Sequence, residues 1–223
     1  MSTEILVVSE FVSVALALIL VYFFLKAHRL MRFVHLLGLP IGFSFLASSY
    51  FFLGLSLLYK SNVAISDSLL WFRLITQGFG FAFIAFSYFF SSKTERTTRY
   101  FLGLITFASV ISILLVFVAL IVAPPFLETP SVNVLDEYFR IANLLFLGYV
   151  IYHLIRHSKP SNGTISGFVW ALSAFSLLWL AQYSLLIWGI DGSQTAFILA
   201  HVARLVSLTL LILVYYKSGR AQE

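Results

Sequence analysis

Hydrophobic positions in this chain do not alternate and do not follow a single helical stripe. They form long, nearly unbroken runs of Leu, Ile, Val, Phe and Ala, punctuated by short polar loops. A hydrocarbon core about 30 Å thick needs about 20 consecutive apolar residues per helix, so each run is read as a membrane span. The runs predict seven spans: Ile5 to Lys26, Val34 to Leu58, Leu69 to Phe90, Tyr100 to Ala123, Val134 to His153, Ile165 to Trp188 and Ala196 to Tyr216. Strands of a membrane barrel would instead show segments of about ten residues with dyad alternation. The expected fold is therefore all-α, a polytopic bundle of seven transmembrane helices forming one domain over residues 1–223.

Composition agrees with that reading, since 61% of the residues are hydrophobic and only 10% are charged. The loops are too short to hold a soluble catalytic or DNA-binding domain. Cysteine is absent, which removes disulfides, thiol redox chemistry and Cys-based metal sites from the sequence. Glu4 and Glu10 open the first span where a secretion signal would carry basic residues, so that span is expected to be a retained helix.

The basic residues set an orientation. Lys26, Arg29, Arg32, Lys93, Arg96, Arg99, Arg156, Lys159, Lys217 and Arg220 collect on one side. The other side holds Lys60 with the acids Glu4, Asp67, Glu128, Asp136, Glu137 and Asp191. Lys and Arg accumulate in short cytoplasmic loops, so the N-terminus is expected outside and the C-terminus in the cytoplasm of a cell-membrane protein. The net charge of +5 then reflects topology and attraction to a lipid bilayer, and no nucleic-acid partner is expected.

Two local patterns recur. Trp71-Phe72-Arg73-Leu74, Tyr138-Phe139-Arg140-Ile141 and Val202-Ala203-Arg204-Leu205 place an Arg in the outer half of the third, fifth and seventh spans. With the likeness of the second and sixth spans, this suggests a 3+1+3 internal repeat. Gly38-Leu39-Pro40-Ile41-Gly42 offers a small-xxx-small face for close helix approach and a proline kink, and Gly78 and Gly80 suggest tight contact beside Gln77.

Depth carries the candidate site. Glu10 precedes Lys26, Gln77 precedes Lys93, Arg140 precedes Arg156 and His201 precedes Lys217 by the same interval, which at 1.5 Å per residue puts all four about 24 Å above the basic inner ends. Arg73, Asn143 and Arg204 lie within one turn of that level on shared helix faces, and Gln182 of the sixth span is expected to join them. Charged groups in lipid turn inward and pair, so Glu10 is expected to meet Arg140 or Arg204, with the remaining Arg charge uncompensated. The layer of Glu10, Arg73, Gln77, Arg140, Asn143, Gln182, His201 and Arg204 is thus a candidate pocket for a small polar or anionic ligand, set against a plainer role in fixing helix register.

Other chemistry is weaker. His28 and His157 lie among interfacial basic residues, leaving His35 with His153 as the pair that could clamp a heme; no cofactor is expected. Enzyme signatures such as HExxH, GxSxG or paired membrane aspartates are missing, and so is a catalytic assignment. In outline the chain resembles a microbial rhodopsin, a family that attaches retinal to a lysine midway along its seventh helix. Here that stretch runs from Arg204 to Leu210 and the nearby Lys217 is at the inner end, so a retinal Schiff base is not expected. In span number and tail direction the chain is also similar to seven-helix sensor modules fused to bacterial and archaeal signalling kinases. Few residues follow Lys217, so signalling is expected to pass through a protein partner. The functional expectation is a receptor-like or sensory module, with an accessory subunit of a membrane complex as the alternative and a small-solute transporter as a third reading.

Overall fold

The computed structural model describes residues 3–31, 37–91, 132–157 and 165–220. Within them the chain forms six helices: α1 (Thr3–Met31), α2 (Gly38–Leu58), α3 (Val63–Ser91), α4 (Val132–His157), α5 (Ile165–Asp191) and α6 (Gln194–Arg220). All six are long and apolar enough to cross a membrane, and no strand occurs among the described residues. They correspond to the first, second, third, fifth, sixth and seventh expected spans. The expected fourth span, Tyr100 to Ala123, lies outside the described residues.

Most helices run beyond their apolar stretch, because leaving the hydrocarbon does not remove the advantage of satisfying backbone groups within the helix. α1 continues past Lys26 through His28 and Arg29 in its last turn, with Glu4 in its first, an arrangement that complements the helix dipole. The tight α5–α6 reversal has local causes. Gly192 adopts φ 69° and its N–H donates to the Trp188 carbonyl at 2.9 Å, closing the end of α5. The Asp191 carboxylate accepts from the Ser193 N–H at 2.9 Å, and the Ser193 hydroxyl oxygen accepts from the Ala196 N–H at 3.3 Å to cap α6. Between α2 and α3, Asn62 Oδ1 likewise accepts from the Ile65 N–H at 3.3 Å.

Each helix packs on the next in sequence among the six, and α6 returns to α1, so the described helices form a closed ring. α2 and α3 approach most intimately through glycine. A Cβ on Gly42 would lie 2.8 Å from the Gly80 carbonyl oxygen, and one on Gly38 would lie 3.0 Å from that of Phe83. The small-xxx-small face therefore does what its spacing implies. Pro40 is different: it sits in the first turn of α2, where a missing N–H breaks no intrahelical bond, so the kink expected there has no cause.

Polarity runs inside out. Large apolar side chains point away from the bundle, with Leu145 71% and Ile190 72% exposed, while Glu10 and Asn143 are fully buried. That distribution suits lipid, and the protein is a multi-pass membrane protein. Toward the end where α1 carries Lys26 and Arg29, the ring is filled by Leu20, Leu46, Ile84, Val150, Leu178 and Leu211 and by aromatic rings. Phe24 of α1 stacks on Phe43 of α2 and meets Tyr215 of α6 edge-on, and Tyr88 of α3 hydrogen-bonds Tyr215 across the bundle.

Candidate functional site

Ring closure brings α1 against α6, and with them Glu10 and Arg204, 194 positions apart in the chain. The Arg204 Nη2 donates to Glu10 Oε1 at 2.6 Å, both side chains being buried. The same Nη2 lies 3.0 Å from His201 Nδ1, whose distance to Glu10 Oε1 is 3.3 Å. His201 Nδ1 therefore faces a donor and an acceptor at once, the Arg204 guanidinium and the Glu10 carboxylate. Arg204 also lies over the ring of Tyr50 at 4.6 Å. Tyr50 belongs to α2, which is not α6's neighbour in the ring, so this cation–π contact crosses the bundle interior.

A second cluster joins α3 and α4. Arg140 Nε donates to Asp136 Oδ2 at 2.8 Å, and its Nη2 meets the same oxygen. Arg73 Nη2 approaches Asp136 Oδ1 at 3.6 Å. Ser49 of α2 supports this edge by donating its hydroxyl to the Arg73 carbonyl at 3.1 Å. Gly78 lets Phe139 approach, since a Cβ there would sit 3.0 Å from its ring.

Gln77, Asn143 and Gln182 are buried on α3, α4 and α5. Every residue expected at that level is inside the ring, although Arg73 is less deeply buried than Arg140 and Arg204. The pairing differs in one respect. Glu10 meets Arg204, whereas Arg140 takes Asp136. Asp136, expected among the acids of the outer side, lies within α4, which begins at Val132, and sits four positions before Arg140. Among the described residues, three guanidiniums therefore face two carboxylates, which leaves one positive charge uncompensated there where the single Glu10 would have left two. The Asp136–Arg140 spacing was the available signal, because residues four apart share a helix face. Tyr50, by contrast, sits in a stretch of Ser, Tyr and Phe that marks nothing in particular.

The layer is not internally satisfied. Nine buried side-chain atoms lack a hydrogen-bond partner among the described residues, and all belong to Glu10, Tyr50, Asp136, Arg140, Asn143, Gln182, His201 and Arg204. Asn143 is unpartnered at both its oxygen and its nitrogen while wholly buried.

A cleft of about 280 Å³ between α1 and α2 is lined by Val21, Leu25, Pro40, Ile41 and Phe45, toward the end of α1 that carries Lys26 and away from Glu10. His153 is buried against the rings of Tyr88 and Tyr149, while His35, its expected heme partner, lies outside the described residues. No known protein family, curated protein or solved structure matches the chain.

Proposed function

We propose that the chain is a seven-span receptor-like or sensory module of the cell membrane, N-terminus outside and C-terminus in the cytoplasm. It binds a small polar or anionic molecule in the layer around Arg140, Asn143, Gln182 and Arg204, and it acts through a partner chain. The observation supporting this is the concentration of unpartnered buried polar atoms in one layer of an otherwise apolar bundle. Leaving a buried donor or acceptor unmade costs about 1–3 kcal/mol. Nine of them sum to a cost comparable with the whole stability of a typical domain, about 5–15 kcal/mol. A ligand presenting both donors and acceptors offsets that cost; an apolar one does not. The filled, aromatic inner end supports access from the opposite side.

The test is thermal unfolding of detergent-solubilised protein against a panel of neutral, cationic and anionic small molecules, for wild type and Gln182→Leu. Removing an unsatisfied buried amide oxygen leaves the ligand-free variant at least as stable as wild type. At least one polar compound should raise the wild-type midpoint with concentration, and the variant should respond less. If no compound moves the wild-type midpoint, the ligand-binding reading fails. A single heavy band on blue native electrophoresis after mild extraction would then favour the accessory-subunit reading.

A further inference from the structure

Resting on that reading, we propose the ligand class and its seat: a small monocarboxylate carrying a hydroxyl group, its carboxylate held between Arg140 and Asn143. The two ion clusters are not equivalent. Arg204 is matched by Glu10 at 2.6 Å and covered by the Tyr50 ring, so its charge is spent. At the other cluster Arg73 and Arg140 share Asp136 as their one carboxylate among the described residues, so the uncompensated positive charge there belongs to the α3–α4 side. One added negative charge neutralises it, and two would overcharge a buried site, where unpaired charge is heavily penalised. That selects a monoanion.

Hydrogen bonding narrows the choice. Arg140 is 2% exposed, with Nε and Nη2 engaged by Asp136 and Nη1 unpartnered. Three residues on along α4, Asn143 is fully buried with Nδ2 unpartnered. Residues three apart share a helix face, so the two donors are presented together. A carboxylate has two oxygens for two such donors, and charge-assisted bonds of this kind are about twice as strong as neutral ones. The same stretch of α4 also holds two acceptors without a hydrogen bond, Asn143 Oδ1 and Asp136 Oδ1, the latter approached by Arg73 Nη2 at 3.6 Å. Chloride or acetate would leave both unmet, whereas a hydroxyl beside the carboxylate donates to one of them. A site built around donors and acceptors discriminates strongly against analogues that lack the matching group.

Glycolate and lactate are the probes, tested by thermal unfolding of the full chain in chloride-free buffer beside acetate, chloride, malate and the neutral propane-1,2-diol. Glycolate or lactate should raise the midpoint with concentration, with acetate and chloride weaker and malate and the diol without effect. Asn143→Asp supplies the missing charge from within the protein. Its ligand-free midpoint should rise above wild type and its response to glycolate should disappear. Asn143→Leu, a second variant that removes the amide, should also lose the glycolate response.

A wild-type response confined to neutral, cationic or dianionic compounds overturns the assigned class while leaving a ligand site in place. Equal responses to glycolate in wild type and both Asn143 variants overturn the assigned seat. No response to any compound defeats both this assignment and the receptor reading.

Discussion

Glu10 and Arg204 show how costly an interior charge is and what keeps it there. Each is buried, and each is the other's direct partner at 2.6 Å. Removing one leaves an uncompensated charge, an effect of about 3–5 kcal/mol, whereas replacing both with apolar side chains is often close to neutral. Glu10→Gln and Arg204→Leu should therefore each lower the unfolding midpoint substantially. The double variant Glu10→Leu/Arg204→Leu should recover most of the loss. A thermal or denaturant double-mutant cycle checks this, and additive single effects would mean that the two side chains are not coupled. Depth counting placed both residues at one level. It could not say which arginine Glu10 would choose, because three arginines share that level and a linear count carries no information about direction around the bundle.

Glycine positions divide cleanly when whole helices are compared. At Gly42 a methyl group would meet the Gly80 carbonyl oxygen of α3 at 2.8 Å, and backbone cannot step aside as a flexible side chain can. Gly42→Ala should separate α2 from α3 and cost about 1–3 kcal/mol, the usual range for overpacking. Gly189, inside α5, has nothing within 4 Å of the equivalent position. There Gly189→Ala should be neutral or stabilising by about 0.5–1 kcal/mol, since only the helix propensity changes. Parallel melts of the two variants test the assignment, and equal destabilisation would contradict the α2–α3 contact. The Gly38-to-Gly42 spacing disclosed this face directly in the sequence. The position of Pro40 in a first turn depended on where α2 starts, a detail that hydrophobic length does not encode.

Among the described residues, large apolar side chains line the outside of the bundle while Glu10, Arg140 and Arg204 lie within it, which is the requirement of a lipid solvent. Because the chain has no cysteine, its proposed orientation can be read with single introduced thiols. Ser61→Cys, in the α2–α3 turn, should react with a membrane-impermeant maleimide added to intact cells. Ser158→Cys, beyond the end of α4, should react only after permeabilisation. The opposite pattern would invert the topology and move the polar layer to the inner half of the membrane.

Helix number within the described residues, approximate span limits and the shared level of Glu10, His201 and Arg204 were legible in the amino-acid order. Each is a property measured along one axis: apolar length against membrane thickness, or residue count times helical rise. The partners were decided only when the helices packed. Closure of α6 onto α1 selected Arg204 for Glu10, and the α3–α4 contact brought Arg73 toward Asp136, which Arg140 already meets four positions along the same helix. Which faces meet depends on rotation about every helix axis at once, and that rotation is settled by packing among neighbours that are distant in sequence.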